Sequence, residues 1–305
     1  MDLEAANLNS KPGYRGRFAP TPSGPLHFGS LVAAVGSYLE ARRRGGEWLL
    51  RIEDLDPPRV VAGAAEHIQR TLEAFGFEWD GPVVHQSARD GAYLEALEAL
   101  RESGAVYPCH CSRKAIAEAG RIGPAGPVYP GTCRRGGGSR GRHSWRLNVE
   151  GARVRFEDAV QGPIDVDLEA ELGDFVVRRA DRVFAYHLAL VVDDAAAAIT
   201  DVVRGRDLLI CTAPQILLQQ RLGLPTPRYM HLPLAVNREG QKLSKQSHAP
   251  ALDVRRAAEQ LAQALGFLGH RPPDEVHGDV RAVWVWALEH WDAGRIPRQA
   301  EIQEP

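Results

Sequence analysis

The chain of 305 residues is expected to be an α/β protein: a parallel sheet, a β-rich insertion and a short helical C-terminus. Three observations lead there. Over the first hundred residues, apolar runs of strand length alternate with stretches of helical periodicity, which calls for crossovers between parallel strands. Residues 107–142 then lose large apolar groups and gain cysteine, glycine and arginine, and residues 144–190 read as short strands. The strand-then-helix alternation resumes near Ile199 and ends in two helical patterns.

Residues 1–12 read as a loose tail that Pro12 and Gly13 close. A strand begins at Arg17–Ala19, and Pro20, Pro22, Gly24 and Pro25 then forbid regular structure. From about Leu26 a helix follows, with Leu31, Val35, Tyr38 and Leu39 on one face. Gly45 and Gly46 stop it, and Arg42, Arg43 and Arg44 sit in the last turn, where the helix dipole favours cations. Trp48–Ile52 is a buried strand that runs into the polar loop Glu53–Pro58. Ile68, Leu72 and Phe75 mark a second helix; Tyr93–Leu100 is a third, which Gly104 stops. In the insertion, SWRLNV, ARVRFED, DFVVRR and VFAYHLALVV are expected strands. Ile199–Val203 is a strand and about Thr212–Leu222 a helix. Val254, Ala258, Leu261 and Leu265 mark one terminal helix, and Val280, Val283, Leu288 and Trp291 the other. The division expected is 13–106 and 191–235 for two halves of a core, 107–190 for the insertion and 236–305 for a loop with the terminal helices.

Composition removes several classes of function. With 44% hydrophobic and 25% charged residues, the chain is neither disordered nor fibrous. No apolar run approaches the ~18 residues of a membrane span. The first residues lack the apolar core of a secretion signal, so a cytoplasmic protein is expected. Lysine plus arginine number 37 against 39 acids, which excludes a polycation over the whole surface but not a local basic face. Of four cysteines, Cys109, Cys111 and Cys133 cluster, which suggests a metal before a disulfide; Cys211 is expected to pack in the core.

Three segments carry chemistry. PTPSGPLHFGS (20–30) joins a strand to a helix, and the backbone N–H groups of such a helix start attract anions. His27 there could donate to a phosphate. KLSKQ (242–246) sets two lysines around a serine, which suits a pyrophosphate leaving group with Lys245 on the developing charge. Taken singly, these read more simply as a surface turn and a solvated basic loop. The cysteine cluster offers three of the four donors that tetrahedral zinc requires. His110, between two thiols, is expected to face away, and His143 is a candidate for the fourth position.

Taken together, the first two segments resemble the paired signatures of the class I aminoacyl-tRNA synthetase family. His27-Phe28-Gly29-Ser30 stands where that family has His-Ile-Gly-His, and Lys242-Leu243-Ser244-Lys245-Gln246 stands for Lys-Met-Ser-Lys-Ser. RFAPTPSGPLHFGSL, RIEDLD, YHLALVVDD and VVRGRDLL are similar to the glutamyl-tRNA synthetase branch, and the resemblance covers about residues 15–247. It implies a Rossmann-type doubly wound parallel sheet with an inserted zinc-bearing subdomain. It also implies glutamate contacts at Arg17, Phe18, Ala19, Pro20, Thr21, Glu53, Tyr186 and Arg204. ATP contacts would be His27, Gly29 and Lys245, with Mg2+ accompanying ATP, and the catalytic groups His27, Lys242 and Lys245. Tyr129 becomes the fourth ligand of one structural Zn2+, beside Cys109, Cys111 and Cys133. A physical reading runs parallel. Two carboxylates and an ammonium are matched by two guanidiniums, Arg17 and Arg204, and one carboxylate, Glu53, at the C-terminal strand edge where open α/β sheets bind ligands.

Two departures narrow the resemblance. Ser30 replaces the second signature histidine, and only 59 residues follow Gln246, too few for an anticodon-binding region. The chain therefore resembles the paralogues that lack that region and attach glutamate to the queuosine base in the anticodon of tRNA(Asp). Expected partners are ATP, L-glutamate and tRNA(Asp) carrying queuosine, without a membrane, and the protein is expected to be a monomer. The Arg134–Arg142 stretch is expected either to touch RNA phosphates or to be a solvated loop. Asp193 and Asp194 receive no role, since a turn explains them as well as a metal does. Two alternatives remain: a truncated glutamyl-tRNA synthetase that charges an acceptor end, and a non-catalytic RNA-binding paralogue. The second expects decay of the ATP and amino-acid residues, which are present.

Overall fold

The computed structural model describes residues 13–124, 126–136, 141–237 and 250–303. The first part runs β1 (Arg15–Phe18), α1 (Phe28–Arg43), β2 (Glu47–Ile52), α2 (Ala64–Ala74), β3 (Val84–His85) and α3 (Asp90–Glu102). The insertion follows with β4 (Val106–Cys109), α4 (Arg113–Ala119), β5 (Ile122–Gly123), β6 (Gly126–Pro127), β7 (Ser144–Leu147), β8 (Arg153–Asp158), β9 (Gly162–Asp167), α5 (Leu168–Glu171) and β10 (Val176–Arg178). Next come α6 (Tyr186–Ala196), β11 (Asp201–Gly205), α7 (Leu209–Leu222), β12 (Arg228–Leu232) and β13 (Leu234–Val236). After the KLSKQ segment, α8 (Ala257–Phe267), α9 (Val280–His290) and β14 (Glu301–Gln303) complete the described chain.

Strands β1, β2 and β3 pair in parallel, as do β11 and β12. The two sets adjoin where the Thr200 N–H donates to the Arg15 carbonyl at 2.9 Å. Strand β8 extends the second set in parallel with β12, and β9 pairs antiparallel with β8. The expected wholly parallel sheet is thus corrected to a mixed arrangement, because an inserted hairpin caps its edge. Strands β4, β7 and β10 form a separate antiparallel sheet.

A second correction concerns VFAYHLALVV, expected as a strand. Most of it is the first two turns of α6, and the expected boundary at 190 and 191 falls inside that helix. Leu188, Ala189, Leu190, Val191, Asp193 and Asp194 are all buried, so no polar face reveals a helical period.

The C-terminal helices close the core rather than standing apart. Tyr38 of α1, Trp48 of β2, Phe77 and Trp284 of α9 form an aromatic cluster with centroids 4.9–5.5 Å apart. Burying one such ring contributes about 2–3 kcal/mol. The polar tips are satisfied: Trp284 donates to the Phe75 carbonyl and Trp291 to Glu40, both at 2.8 Å. Helix α1 rides close on the sheet at Gly36, where an added Cβ would stand 2.6 Å from Leu232 Cδ1. Among the described residues, no helix is long and apolar enough to cross a membrane.

Candidate active site

Parallel strands deliver their C-terminal ends to one edge, and three of the expected residues, Thr21, Glu53 and Tyr186, meet there. Strand β1 ends at Phe18; the loop after it is tied to the loop after β2 by the Glu53 N–H on the Pro20 carbonyl at 3.0 Å. Thr21, Glu53 and Tyr186 line a cleft of about 550 Å3. Phe18 instead stacks on Trp48 in the core, so its side chain does not face that cleft. Arg17 and Arg204 are not among the lining residues, yet both charges act on the Tyr186 phenol, which burial pushes up and they pull down.

Behind the cleft lies a buried network of charges. Arg17 reaches Asp194 through Nε and Nη2 at 3.1–3.2 Å, and Arg51 donates to the same carboxylate at 2.6 Å and to Glu53 at 3.2 Å. Asp193 accepts from Arg89, Gln86 and the Tyr93 hydroxyl at 2.5–2.8 Å. Three guanidiniums thus face three carboxylates, which offsets the cost of burying any one of them. Burial would raise Asp194, but Arg17 and Arg51 outweigh it and hold the carboxyl below its ordinary range. For Glu53 burial wins over the same two arginines, and its carboxyl is pushed up. The residues the sequence left without a role, Asp193 and Asp194, are the hubs. Their partners lie 100–177 positions away, so no local pattern announces them.

Arg204 is built differently. It sits in register with His231 on the neighbouring strand. Its Nε donates to His231 Nε2 at 3.0 Å, and its Nη2 to Thr212 and Gln215 at 2.8 Å each. A ring nitrogen that accepts carries no hydrogen, so His231 bears its proton on Nδ1 and donates it to Asp158 at 2.6 Å. Burial, outweighing Asp158, pushes His231 down and keeps the ring neutral. The remaining Arg204 Nη1 is buried with no hydrogen-bond partner among the described residues, a donor that suits an incoming carboxylate. Residue type and spacing gave no signal for His231 or Asp158.

His27 caps α1: its Nδ1 accepts from the Ser30 N–H at 3.4 Å, which leaves the neutral ring's hydrogen on Nε2. No acidic residue occupies the first turn of this 16-residue helix, so its N-terminus stays attractive to phosphate, and Gly29 lies in that turn. Ala251 pairs with His27, and the Leu252 N–H donates to the Leu26 carbonyl at 3.0 Å. Lys242 and Lys245 lie outside the described residues.

The cysteine cluster is a small knot of its own. The sulfurs of Cys109, Cys111 and Cys133 lie within 4.8 Å of one another, Cys111 to Cys133 at 3.6 Å. The Tyr129 hydroxyl stands 3.3 Å from Cys109 and 3.7 Å from Cys111, and the Cys133 N–H donates to it at 2.9 Å. Four ligands at zinc–sulfur lengths of about 2.3 Å would be about 3.8 Å apart, so the donor set suits a tetrahedral ion. His110 and His143 turn elsewhere, with each Nδ1 at a backbone carbonyl, of Arg142 and Gly141. The basic stretch beside the knot divides. Arg134 is a strut, bidentate to the buried Asp174 at 2.9–3.0 Å, whereas Arg142 lines the cleft and Arg140 lies outside the described residues.

Comparisons with known proteins show the family to which this chain belongs. Residues 14–265 match the family described as tRNA synthetases class I (E and Q), catalytic domain. The chain is 56% identical over 297 residues to the glutamyl-Q tRNA(Asp) synthetase of Dechloromonas aromatica, covering 96% of this chain and 98% of that one. It is 56% identical to the Chromobacterium violaceum protein of the same name (93% and 95% covered) and 52% identical to that of Pseudomonas aeruginosa PAO1 (95% and 98% covered). Among solved structures it superposes on a glutamate tRNA ligase from Elizabethkingia meningosepticum, crystallised with its amino acid, with a TM-score of 0.79 at 24% identity. That overlap takes in 96% of this chain and 67% of the ligase.

Proposed function

From its membership of the class I tRNA synthetase family of the E and Q type, we infer that this chain is a ligase that activates L-glutamate with ATP and transfers it to the queuosine base in the anticodon of tRNA(Asp). The observation that carries this reading is identity of 51–56% to proteins named glutamyl-Q tRNA(Asp) synthetase along 95–98% of their own length.

In the first step an oxygen of the glutamate α-carboxylate attacks the α-phosphorus of ATP, and pyrophosphate leaves. The N–H groups at the start of α1, Gly29 and the Nε2–H of His27 are the donors assigned to the phosphates. Lys242 and Lys245 are assigned by sequence to the departing pyrophosphate. The pairing of Ala251, six residues beyond Lys245, with His27 supports that assignment. Arg204 Nη1 is assigned to a glutamate carboxylate, Glu53 to the ammonium, and Tyr186 and the Arg17–Thr21 segment to the walls of the amino-acid site. With Nε and Nη2 of Arg17 held by Asp194, its share in that site falls to the rest of the guanidinium and to its charge. In the second step a hydroxyl of the queuosine cyclopentenediol attacks the mixed anhydride, and AMP leaves. No covalent bond to the protein is required, so positioning and charge do the work. Mg2+ accompanying ATP would neutralise phosphate oxygens. Zn2+ on Cys109, Cys111, Cys133 and Tyr129 would be structural, tying β4 to the segment before β7.

Labelled glutamate offered to tRNA(Asp) with and without queuosine tests the reading. Incorporation is expected only with queuosine, and is expected to survive removal of the 3′-terminal adenosine. Incorporation that ignores queuosine, or disappears with that adenosine, would transfer the chain to the acceptor-charging reading.

A further inference from the structure

The cleft that holds Glu53 and Tyr186 does not end at the amino-acid site. It shares Arg142, Arg179, Ala180 and Asp181 with a second cleft of about 720 Å3, lined also by His143, Trp145, Arg178 and Arg182. Four guanidiniums against one carboxylate is a concentrated charge in a chain whose net charge is −2. Arg179 is largely spent, on Asp56 at 2.8 Å and Asp181 at 2.5 Å. The others are not. Arg142 Nε donates to the Ala180 carbonyl at 2.6 Å and Arg178 Nε to the Arg182 carbonyl at 3.1 Å. Among the described residues no carboxylate pairs with Arg142, Arg178 or Arg182. The Nε bonds to the turn, and the Phe184 ring 4.7 Å from the Arg178 guanidinium, hold two of these side chains in place with no carboxylate among the described residues on their terminal nitrogens.

The turn itself is unusual. It closes through the Arg182 N–H on the Arg179 carbonyl at 3.0 Å and the Arg179 N–H on the Val183 carbonyl at 2.8 Å. Arg182 adopts φ +74°, a conformation that glycine takes freely and arginine does not, so the position keeps a cation against its backbone preference. Two aromatic rings line the same cleft: His143 lies edge-on to Trp145 at 5.2 Å, and the Arg101 guanidinium covers one face of Trp145 at 4.9 Å. Guanidiniums interleaved with rings match single-stranded RNA, whose phosphates need cations and whose unstacked bases need π-faces.

Building on the function inferred above, we propose that Arg142, Arg178 and Arg182, with Trp145 and His143, hold the phosphates and flanking bases of the acceptor RNA's loop, so that the base to be acylated enters the adjoining cleft toward Glu53 and Tyr186. This surface is distinct from Arg134, which the fold uses as a strut.

The test uses the whole protein with Arg178→Ala and Arg182→Gly combined; glycine relaxes the turn, and retained pyrophosphate exchange shows that the variant is folded. Glutamate-dependent ATP–pyrophosphate exchange is expected to stay at the wild-type rate. The Kd for queuosine-bearing tRNA(Asp) is expected to rise about tenfold, and the slope of log K against log salt to fall by about 0.7 for each cation removed. Arg153→Ala, an exposed cation of β8 that lines neither cleft, is expected to change nothing. Wild-type affinity and slope in the double variant, or an equal loss in Arg153→Ala, would overturn the surface. Weakened binding together with no glutamylation by the wild type would uphold the surface and overturn the function on which it rests. A wild type that binds no tRNA would overturn both.

Discussion

The charge network behind the cleft of Glu53 and Tyr186 and the cysteine knot of the insertion hold polar groups together by opposite means. In the first, buried Arg17 and Arg51 and half-buried Arg89 meet Glu53, Asp193 and Asp194, so that each charge faces an opposite one beside a large apolar core. In the second, Cys109, Cys111, Cys133 and Tyr129 converge on one another with almost no apolar mass: the packed cluster there is Cys109, Tyr129 and Cys133, with Tyr107, Cys111 and Ile116 against it. A network of paired charges is complete as it stands. Three thiols and a phenol facing inward could hold an ion, and the folding energy of the knot would then include the ion's binding energy. The two regions should therefore fail separately.

Cys109→Ser sharpens that contrast most. It is expected to abolish stoichiometric zinc, measured by atomic absorption, and transfer to RNA, while pyrophosphate exchange and the main unfolding transition persist. Loss of pyrophosphate exchange with the zinc would break the separation. Asp194→Ala should do the reverse. Leaving Arg17 and Arg51 without their shared carboxylate is expected to cost about 3–5 kcal/mol of stability, read by urea unfolding, with zinc content unchanged. A stable Asp194→Ala would show that those guanidiniums find other acceptors.

A smaller effect belongs to His231. Its removal takes one acceptor from Arg204, worth about 1.5–3 kcal/mol for a charged hydrogen bond, or about 10- to 100-fold. The expected outcome for His231→Ala is a raised KM for glutamate with kcat nearly kept, partly restored in His231→Gln. An equal fall in kcat would assign His231 to the chemistry instead. The smallest is a pH effect. Burial raises the Glu53 carboxyl above its ordinary 4.5, and only the ionised form holds an ammonium. Thus kcat/KM for glutamate should be full at neutral pH and fall on acidification through a value above 4.5, a limb that Glu53→Gln removes.

Much of this was readable from the chain. The alternation through β1, α1 and β2 is written in local spacing, and the proline- and glycine-bearing loop marks where α1 begins. Cys109, Cys111 and Cys133 were legible because their chemistry is rare and they lie close in sequence. What escaped depends on distance along the chain. Asp194 meets Arg17 across 177 positions and His231 meets Asp158 across 73, and neither pairing leaves a local mark. Helix α6 was read as a strand for a related reason. Periodicity reports a helix only when one face meets water, and α6 is wrapped on nearly every side. Arg134 is indistinguishable by sequence from its exposed neighbours, because the buried Asp174 that holds it lies 40 positions away.

Gly36 has a consequence beyond packing. Its bare backbone sets how far α1 stands from the strand that carries His231, and so sets the span between the start of α1 and Arg204, the groups assigned above to phosphate and to glutamate. A single methyl at that position would leave every recognition group chemically intact yet mis-set the ruler between two reactants that must touch. The tolerance of this enzyme to change is therefore decided in part by an atom it does not have.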